Sequence, residues 1–270
     1  MSVTNLMPRI EIIPIPSVKI IEIKDNLILT LFESLKQINM QFEDNDILVI
    51  ASKIVAVAEG NIRFYDSIEP TGEAIELAEK AHIDPEFAQV ILEEAEDNYV
   101  GTVPGAITTI NQYGLLANAG ADQSNAGVEQ VILLPKDCKK SAEHIHKEIL
   151  KQKNKFVGVI IADSRTTPLR LGTVGSALAT FGFESLLDER GNNDLFGRAM
   201  HVTVRAIADQ LATAAEIVMG ETNERTPFAI IRGYPMNRIN KEEEIDLNTQ
   251  ISAEECMFLG PFIRGGKGGK

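Results

Sequence analysis

The sequence lacks the residues that several classes of binding site require. It has no tryptophan, four tyrosines and 11 phenylalanines among 270 residues, too few for a large surface on which single-stranded nucleic acid stacks. Its two cysteines, Cys138 and Cys256, form no Cys-x-x-Cys pair, which is typical of a reducing compartment. Four histidines, none of them in a His-Glu-x-x-His motif, argue against a zinc enzyme.

Long apolar runs and positive charge are also scarce. No apolar stretch reaches the roughly 20 residues of a membrane helix, and Met1–Asn5 shows no basic region leading into an apolar one. We therefore expect a cytoplasmic protein without a membrane partner. The 26 Lys and Arg against 39 Asp and Glu give a net charge of −13, which repels phosphate backbones, so no nucleic-acid partner is expected. A small phosphorylated ligand needs only a metal or a few local cations.

Strand-like and helix-like segments are mixed along the chain, which predicts an α+β fold with mixed or antiparallel sheets. We expect a single domain over 1–270, with a small helical lobe at about 65–105 and a flexible tail over 260–270. Strands are predicted at Ile10–Pro16, Asp46–Lys53, Ala106–Asn111, Leu115–Ala119, Val131–Pro135, Phe156–Asp163 and Phe228–Ile231. Helices are predicted at Asn26–Ile38, Gly72–Ala81, Pro85–Glu96, Lys139–Lys153 and Thr203–Met219.

Three acidic residues stand at the ends of predicted elements. Asp122 lies in the glycine-bordered segment NAGADQSNAG, Asp163 ends the apolar strand FVGVIIAD, and Glu221 follows a helix in MGET. Carboxylate oxygens suit Mg²⁺ or Mn²⁺, and such ions commonly bridge nucleotide phosphates. The alternative is that these acids cap turns or are solvated.

Two polar loops follow later strands. The segment DSRTTPLRLGTVG begins at Asp163, and its arginines suit carboxylates or phosphates, although a surface turn would use the same residues. The segment LDERGNNDLFGR, from Leu187 to Arg198, predicts a salt-bridged loop. His144 and His146 lie two residues apart on a predicted helix, so they do not share a face, and we expect both at the surface.

Taken in order, these segments resemble the coenzyme F420-0:gamma-glutamyl ligase family over roughly residues 10–235. The matching segments are ILVIASKIVAVAEG, NAGADQSN, SAEHIHKEI, VGVIIADS, RLGTVGSALATFGF, DERGNNDLFGR, VTVRAIADQLATAA, MGET and RG. The resemblance implies a mixed α/β homodimer that uses GTP and two divalent ions per site, Mg²⁺ or Mn²⁺, and leaves a need for K⁺ open. It implies that L-glutamate is joined to the F420-0 precursor after its carboxylate has been activated as an acyl phosphate.

The resemblance also implies roles for individual residues. Asp122 and Asp163 match the ligands of one metal, and Ser164 and Glu221 match those of a second. Arg170 matches a downstream arginine of the family and suits the oxyanion of the amide-forming step. The residues predicted to bind substrate are Arg165, Arg170 and Arg198. The nucleotide contacts match Val18, Lys19, Ile20, Ile21, Ser52, Lys53, Asn125, Met219, Gly220, Glu221, Thr222, Asn223, Glu224, Arg225 and Thr226.

The sequence departs from the family pattern at two places. Val57 stands where the family has a lysine, and the family's D-T-x-G-R becomes Asp163-Ser164-Arg165-Thr166-Thr167. These departures keep two alternatives open. One is a related acyl-phosphate-forming ligase with another carboxylate substrate or with ATP. The other is a non-catalytic nucleotide- or metal-binding protein.

Overall fold

The computed structural model describes residues 9–239 and 250–265. The chain forms two compact units, one of Met1–Ile62 with Ile132–Leu247 and one of Arg63–Val131 with Asn248–Lys270. The second unit contains the stretch 65–105 that was predicted as a helical lobe. It also contains the following strands as far as Val131.

Twelve strands and seven helices have the following bounds. The strands are β1 Glu11–Ile15, β2 Ile47–Ala51, β3 Ile62–Phe64, β4 Tyr99–Val103, β5 Ala106–Asn111, β6 Gly114–Ala117, β7 Gln130–Ile132, β8 Gly158–Thr166, β9 Thr173–Phe181, β10 Leu186–Asp188, β11 Val204–Ala206 and β12 Phe228–Arg232. The helices are α1 Leu27–Gln37, α2 Ser52–Glu59, α3 Gly72–Ala81, α4 Pro85–Glu94, α5 Cys138–Lys153, α6 Ile207–Met219 and α7 Gly260–Gly265. These counts refer to the described ranges.

The first unit is organised around a five-stranded sheet in the order β1-β12-β2-β8-β9. Strands β2 and β8 are parallel and the other neighbours are antiparallel. The predicted α+β class with mixed and antiparallel sheets is therefore confirmed. Strands β2 and β12 consist almost entirely of buried apolar residues, as expected of central strands covered on both faces.

Helix α6 covers one face of this sheet. Its buried residues Ile207, Leu211 and Ala215 recur at helical spacing and pack with Ile160 and Ala162 of β8. The same contact would be lost if β8 slipped by one residue, because alternate residues point to opposite faces. The apolar pattern of α6 thus fixes which face of β8 is turned towards it.

Several predicted boundaries are wrong. The strand predicted to end at Asp163 continues to Thr166, because residues 163–166 pair antiparallel with residues 173–176 of β9. The helix predicted from Thr203 begins at Ile207, because Val204–Ala206 instead pairs antiparallel with Leu186–Asp188. The strand predicted over Asp46–Lys53 ends at Ala51, and helix α2 begins at the next residue. Ser52 and Lys53 therefore lie in the first turn of a helix.

His146 is buried, so the prediction that it lies at the surface is wrong. It shares the inner face of α5 with Ala142, Ile145 and Ile149. Its Nδ1 lies 2.7 Å from the carbonyl oxygen of Val157, which can only accept, so Nδ1 carries the proton. Burial lowers the pKa of this imidazole. His144 is exposed, as predicted.

The second unit combines a three-stranded antiparallel sheet, β4-β5-β6, with helices α3 and α4. The hairpin predicted around Gly114 is confirmed. Helix α3 begins after Thr71, whose side chain accepts a hydrogen bond from the amide of Ala74, and α4 begins at Pro85. Helix α7 occupies the first residues of the predicted tail, and 266–270 lie outside the described residues. No helix in the described ranges combines the length and apolar character that a membrane crossing needs.

Candidate active site

The sheet register brings four chain segments to one end of the first unit. Ile15, Phe228, Ile50 and Ile161 are aligned across β1, β12, β2 and β8. The residues that follow β1 and β2 therefore lie at the same end as the residues that precede β12. We call this end, with the last residues of β8, the polar end of the sheet.

Backbone hydrogen bonds tie these segments together. The amide of Ser17 donates to the carbonyl of Arg225 at 2.8 Å, and the amide of Ala51 donates to that of Pro227 at 3.0 Å. The three stretches of predicted nucleotide contacts in this unit, 18–21, 52–53 and 219–226, are therefore neighbours in space. No local pattern in the sequence shows this, since the pairing spans more than 200 residues.

Three predicted metal ligands lie at the polar end. The hydroxyl of Ser52 donates to Oδ1 of Asp163 at 2.8 Å, and the hydroxyl of Ser164 donates to Oε2 of Glu221 at 3.2 Å. Ile160 and Ala162 face α6, so alternation turns Ser164 to that side and Asp163 to the other. Neighbouring residues of β8 thus contribute to two separate polar groups, Asp163 with Ser52 and Ser164 with Glu221.

Glu216 is a residue of this site that the sequence analysis missed. It lies in the last turn of α6, and a hydrogen bond joins its side chain to that of Glu221. Burial, and then the hydrogen bond and charge of Glu221, raise the pKa of Glu216 to about 7. Its Oε1 is buried, and within the described ranges it has no hydrogen-bond partner. The sequence does show an acidic residue here, near the end of the predicted helix and five residues before Glu221 of MGET.

The donor set at the polar end suits a hard divalent cation. Asp163, Ser164, Glu216 and Glu221 offer only oxygens, which is the chemistry that Mg²⁺ and Mn²⁺ prefer. The unsatisfied oxygen of Glu216 also favours a positive charge. No three His, Cys, Asp or Glu side chains in the described part of the chain have metal-site spacing. A bound ion would therefore draw these side chains together.

The loop 219–226 is held by its own side chains. Gly220 has a positive φ of 74°, and a Cβ there would lie 2.4 Å from the carboxyl carbon of Glu224. That carboxylate accepts from the amide of Thr222 at 2.7 Å and from its hydroxyl at 3.0 Å. Backbone amides, first its own and then that of Thr222, lower the pKa of Glu224. The positive φ favours glycine at this position, and a side chain there would also displace the Glu224 carboxylate.

Helix α2 contains both Lys53, a predicted nucleotide contact, and Val57. Lys53 precedes Val57 by four residues, and both are helical. Residues at i and i+4 lie on the same helix face, so Lys53 and Val57 share one side of α2. Upstream, the amide of Val18 donates to the hydroxyl of Ser34 at 3.2 Å, and Lys19 forms an ion pair with Asp25.

Asp122 and Asn125 belong to the second unit. Asp122 accepts from the amide and hydroxyl of Ser124 at 2.7 and 2.8 Å. The side-chain amide of Gln123 donates to the hydroxyl of Tyr65, and burial raises the pKa of that phenol to about 12. Asn125 has a left-handed φ of 55°. Asp122 is thus held in a tight turn anchored to Tyr65.

The three predicted substrate arginines differ in setting. Arg165 lies on β8 and is largely buried, whereas Arg170 and Arg198 are exposed on the loops that follow β8 and β10. The predicted salt-bridged loop is confirmed at its start, where Nε and Nη2 of Arg190 both donate to the carboxylate of Asp188.

Comparison with known proteins identifies the family. The family described as F420-0:Gamma-glutamyl ligase matches residues 16–233. The chain belongs to this family. Relatives named coenzyme F420:L-glutamate ligase include one from Methanocaldococcus jannaschii, 44% identical over 213 residues, which are 76% of this chain and 85% of that protein. The relative from Methanopyrus kandleri is 40% identical over 228 residues, 84% of this chain and 88% of its own. The relative from Archaeoglobus fulgidus is 34% identical over 245 residues, which are 88% of this chain and 96% of that protein.

Proposed function

We propose that the protein is a GTP- and divalent-metal-dependent ligase that joins L-glutamate to the coenzyme F420-0 precursor. Its membership of the F420-0:gamma-glutamyl ligase family supports glutamate ligation in F420 biosynthesis. The observation that carries the mechanism is the gathering of Asp163, Ser164, Glu221 and the loop 219–226 at one end of one sheet. These are the segments that the resemblance assigns to metal and nucleotide.

The first step transfers the γ-phosphoryl group of GTP to a substrate carboxylate. Two anions must approach each other, so the site has to supply positive charge. Asp163, Ser164 and Glu221 would hold divalent ions that neutralise the phosphates. The resemblance assigns a metal-ligand role to Asp122 as well. Ser52 fixes Oδ1 of Asp163 by its hydrogen bond, and Ser164 does the same for Glu221. These hydroxyls orient the carboxylates that would hold the ions.

The second step is attack of the glutamate amino group on the acyl phosphate. An amide bond forms, the bond from the carbonyl carbon to the phosphate oxygen breaks, and inorganic phosphate leaves. The tetrahedral intermediate carries an oxyanion, which a guanidinium stabilises. Arg170 lies on the exposed turn after β8, four residues beyond the end of that strand. We assign it this role.

A homodimer is part of the proposal. The loops after β8 and β10 expose large apolar side chains almost completely, and surface-exposed apolar clusters mark interaction sites. The residues are Leu169, Leu171, Leu195, Phe196 and Val202. Light scattering on the purified chain tests the dimer, and Leu171→Asp is expected to shift it towards monomer.

A mass-spectrometric ligase assay tests the function. The protein is incubated with F420-0, L-glutamate, Mg²⁺ and Mn²⁺, with GTP or ATP in parallel. A product heavier by one or more glutamyl units with GTP supports the proposal. Product with ATP alone, or with another carboxylate acceptor alone, would favour the related ligase that the departure at Val57 keeps open. Nucleotide and metal binding without any turnover would favour a non-catalytic protein.

A further inference from the structure

Arg165 has two buried donors that the protein itself does not use. Its Nε and Nη2 atoms are shielded from water, and within the described ranges neither has a hydrogen-bond partner. A guanidinium remains charged at physiological pH, so burying its N–H groups unpaired is unfavourable. Such a pair of donors in a native structure calls for an explanation, and an absent ligand is one.

The two atoms form one edge of the guanidinium, and this edge binds carboxylates elsewhere in the chain. Arg190 directs Nε and Nη2 to Asp188 at 2.8 and 2.5 Å. Arg232 directs the same two atoms to Asp46 at 2.8 and 2.7 Å. Two parallel N–H groups match the two oxygens of a planar carboxylate. The unused edge of Arg165 has the same geometry.

The carboxylates near Arg165 are engaged with other donors. Asp163 accepts from Ser52 at 2.8 Å, and Asp209 accepts from the amide of Ala177 at 2.8 Å and from Ser176 at 3.2 Å. Both carboxylates still act on Arg165 through space. Burial lowers the pKa of the guanidinium, and the charges of Asp163 and then Asp209 oppose that shift. The surroundings are therefore negative enough to keep the arginine in place but leave its edge unused.

We propose that this edge of Arg165 binds a carboxylate of a substrate, either L-glutamate or the F420-0 precursor. The assignment rests on the proposed ligase function. Arg165 follows Asp163 by two residues on β8, so their side chains share a face and their Cα atoms lie about 7 Å apart. A carboxylate held there would lie beside the proposed phosphoryl-transfer centre. Since both donors are shielded, binding must displace the side chains that cover them.

Steady-state kinetics of Arg165→Gln test the assignment, with Arg190→Gln as the matched control. Arg190 also carries a side-on carboxylate pair but lies on an exposed loop. We expect the KM for L-glutamate or for F420-0 to rise roughly 10- to 100-fold in Arg165→Gln, with the KM for GTP unchanged. Arg165→Lys should recover only part of this loss, because an ammonium cannot form the two-pronged contact.

Substrate analogues identify the carboxylate. If Arg165 binds L-glutamate, wild-type protein should discriminate against L-isoglutamine or L-glutamine, in which one carboxylate is an amide, and Arg165→Gln should lose that discrimination. If the precursor is bound, only its KM should change. If Arg165→Gln raises only the KM for GTP, or leaves all KM values and kcat unchanged in an active enzyme, the role of Arg165 is overturned. The proposed ligase function would then still stand. Wild-type protein that makes no glutamyl product would overturn the proposed function and this assignment with it.

Discussion

Two partly buried arginines on the same sheet have opposite environments. Arg232, at the end of β12, donates from Nε and Nη2 to Asp46, which is 1% exposed, and from Nη1 to Glu43 at 2.7 Å. Arg165, near the end of β8, has the corresponding edge unused within the described ranges. Arg232 lies opposite Glu11, at the start of β1, and thus at the other end of the sheet from the polar end.

The difference separates a part of the sheet built for stability from a part suited to binding. At the Arg232 end, each buried charge meets a partner from the protein. At the polar end, Arg165 has unused donors, and the carboxyl of Glu216, which is hydrogen-bonded to Glu221, has a buried oxygen without a partner in the described residues. Unsatisfied groups of this kind reduce stability, and they are characteristic of sites that a ligand completes. The predictions below test whether stability and activity divide along the sheet in this way.

The largest expected effect is on activity at the polar end. Asp163→Asn should lower kcat/KM about 1,000-fold or more, because it removes a carboxylate proposed to hold a divalent ion. The amide oxygen can still accept the Ser52 hydrogen bond, so the Tm should change by only a few degrees. The ligase assay and thermal unfolding measure the two effects. Activity near wild type with metal present would contradict the role of Asp163.

At the other end, the expected effect is on stability. Arg232→Met leaves the buried Asp46 carboxylate without its guanidinium, which should cost about 3–5 kcal/mol in the free energy of unfolding. Denaturant titration measures this, with the exposed Arg190→Met as control, where a much smaller change is expected because surface ion pairs contribute little to stability. The kcat per folded molecule should stay at the wild-type value. A substantial loss of kcat in the folded fraction would show that the two ends are not separable.

Arg165→Met should have the opposite effect on stability to Arg232→Met. It removes two buried N–H donors that have no hydrogen-bond partner in the described residues, so the free energy of unfolding should rise by about 1 kcal/mol while ligation weakens. Thermal unfolding without substrates tests the stability, and the ligase assay tests the activity. Destabilisation on the scale of Arg232→Met would mean that Arg165 is satisfied in the folded protein.

A pH effect is expected at the Arg232 end, where the amide of Gly158 donates to the carbonyl of Asp46 and His146 contacts the preceding residue. Burial lowers the pKa of His146, so the unfolded chain binds more protons than the folded one. Stability should therefore fall as the pH drops below about 6.5, the ordinary pKa of histidine. We expect His146→Gln to lose this pH dependence between pH 7.5 and 5.5. His144→Gln, exposed on the same helix, should keep it.

The sequence predicts the parts of the site that depend on local pattern. The apolar run before Asp163 and the helical spacing before Glu221 identify a strand and a helix, although the strand continues beyond Asp163 to Thr166 and the helix ends at Met219. The sequence does not show that β12 lies between β1 and β2, because that order depends on pairing between residues about 200 positions apart. The sequence also does not show that polar atoms of Arg165 and Glu216 are buried without hydrogen-bond partners among the described residues, because this too depends on the tertiary structure. Whether a polar side chain finds a partner is decided by tertiary packing.

The smallest expected effect concerns the departure at Val57. Because Lys53 lies one turn earlier on the same face of α2, it already supplies a cation where the family has a lysine. Val57→Lys should therefore change GTP affinity less than about threefold, whereas Lys53→Gln should weaken it roughly 10-fold, as expected for the loss of one charge-assisted contact. Calorimetry with GTP and Mg²⁺ measures both. Strong tightening by Val57→Lys together with no effect of Lys53→Gln would mean that the two positions are not equivalent. In that case the departure at Val57 would mark an altered nucleotide site, and ATP would become the favoured co-substrate.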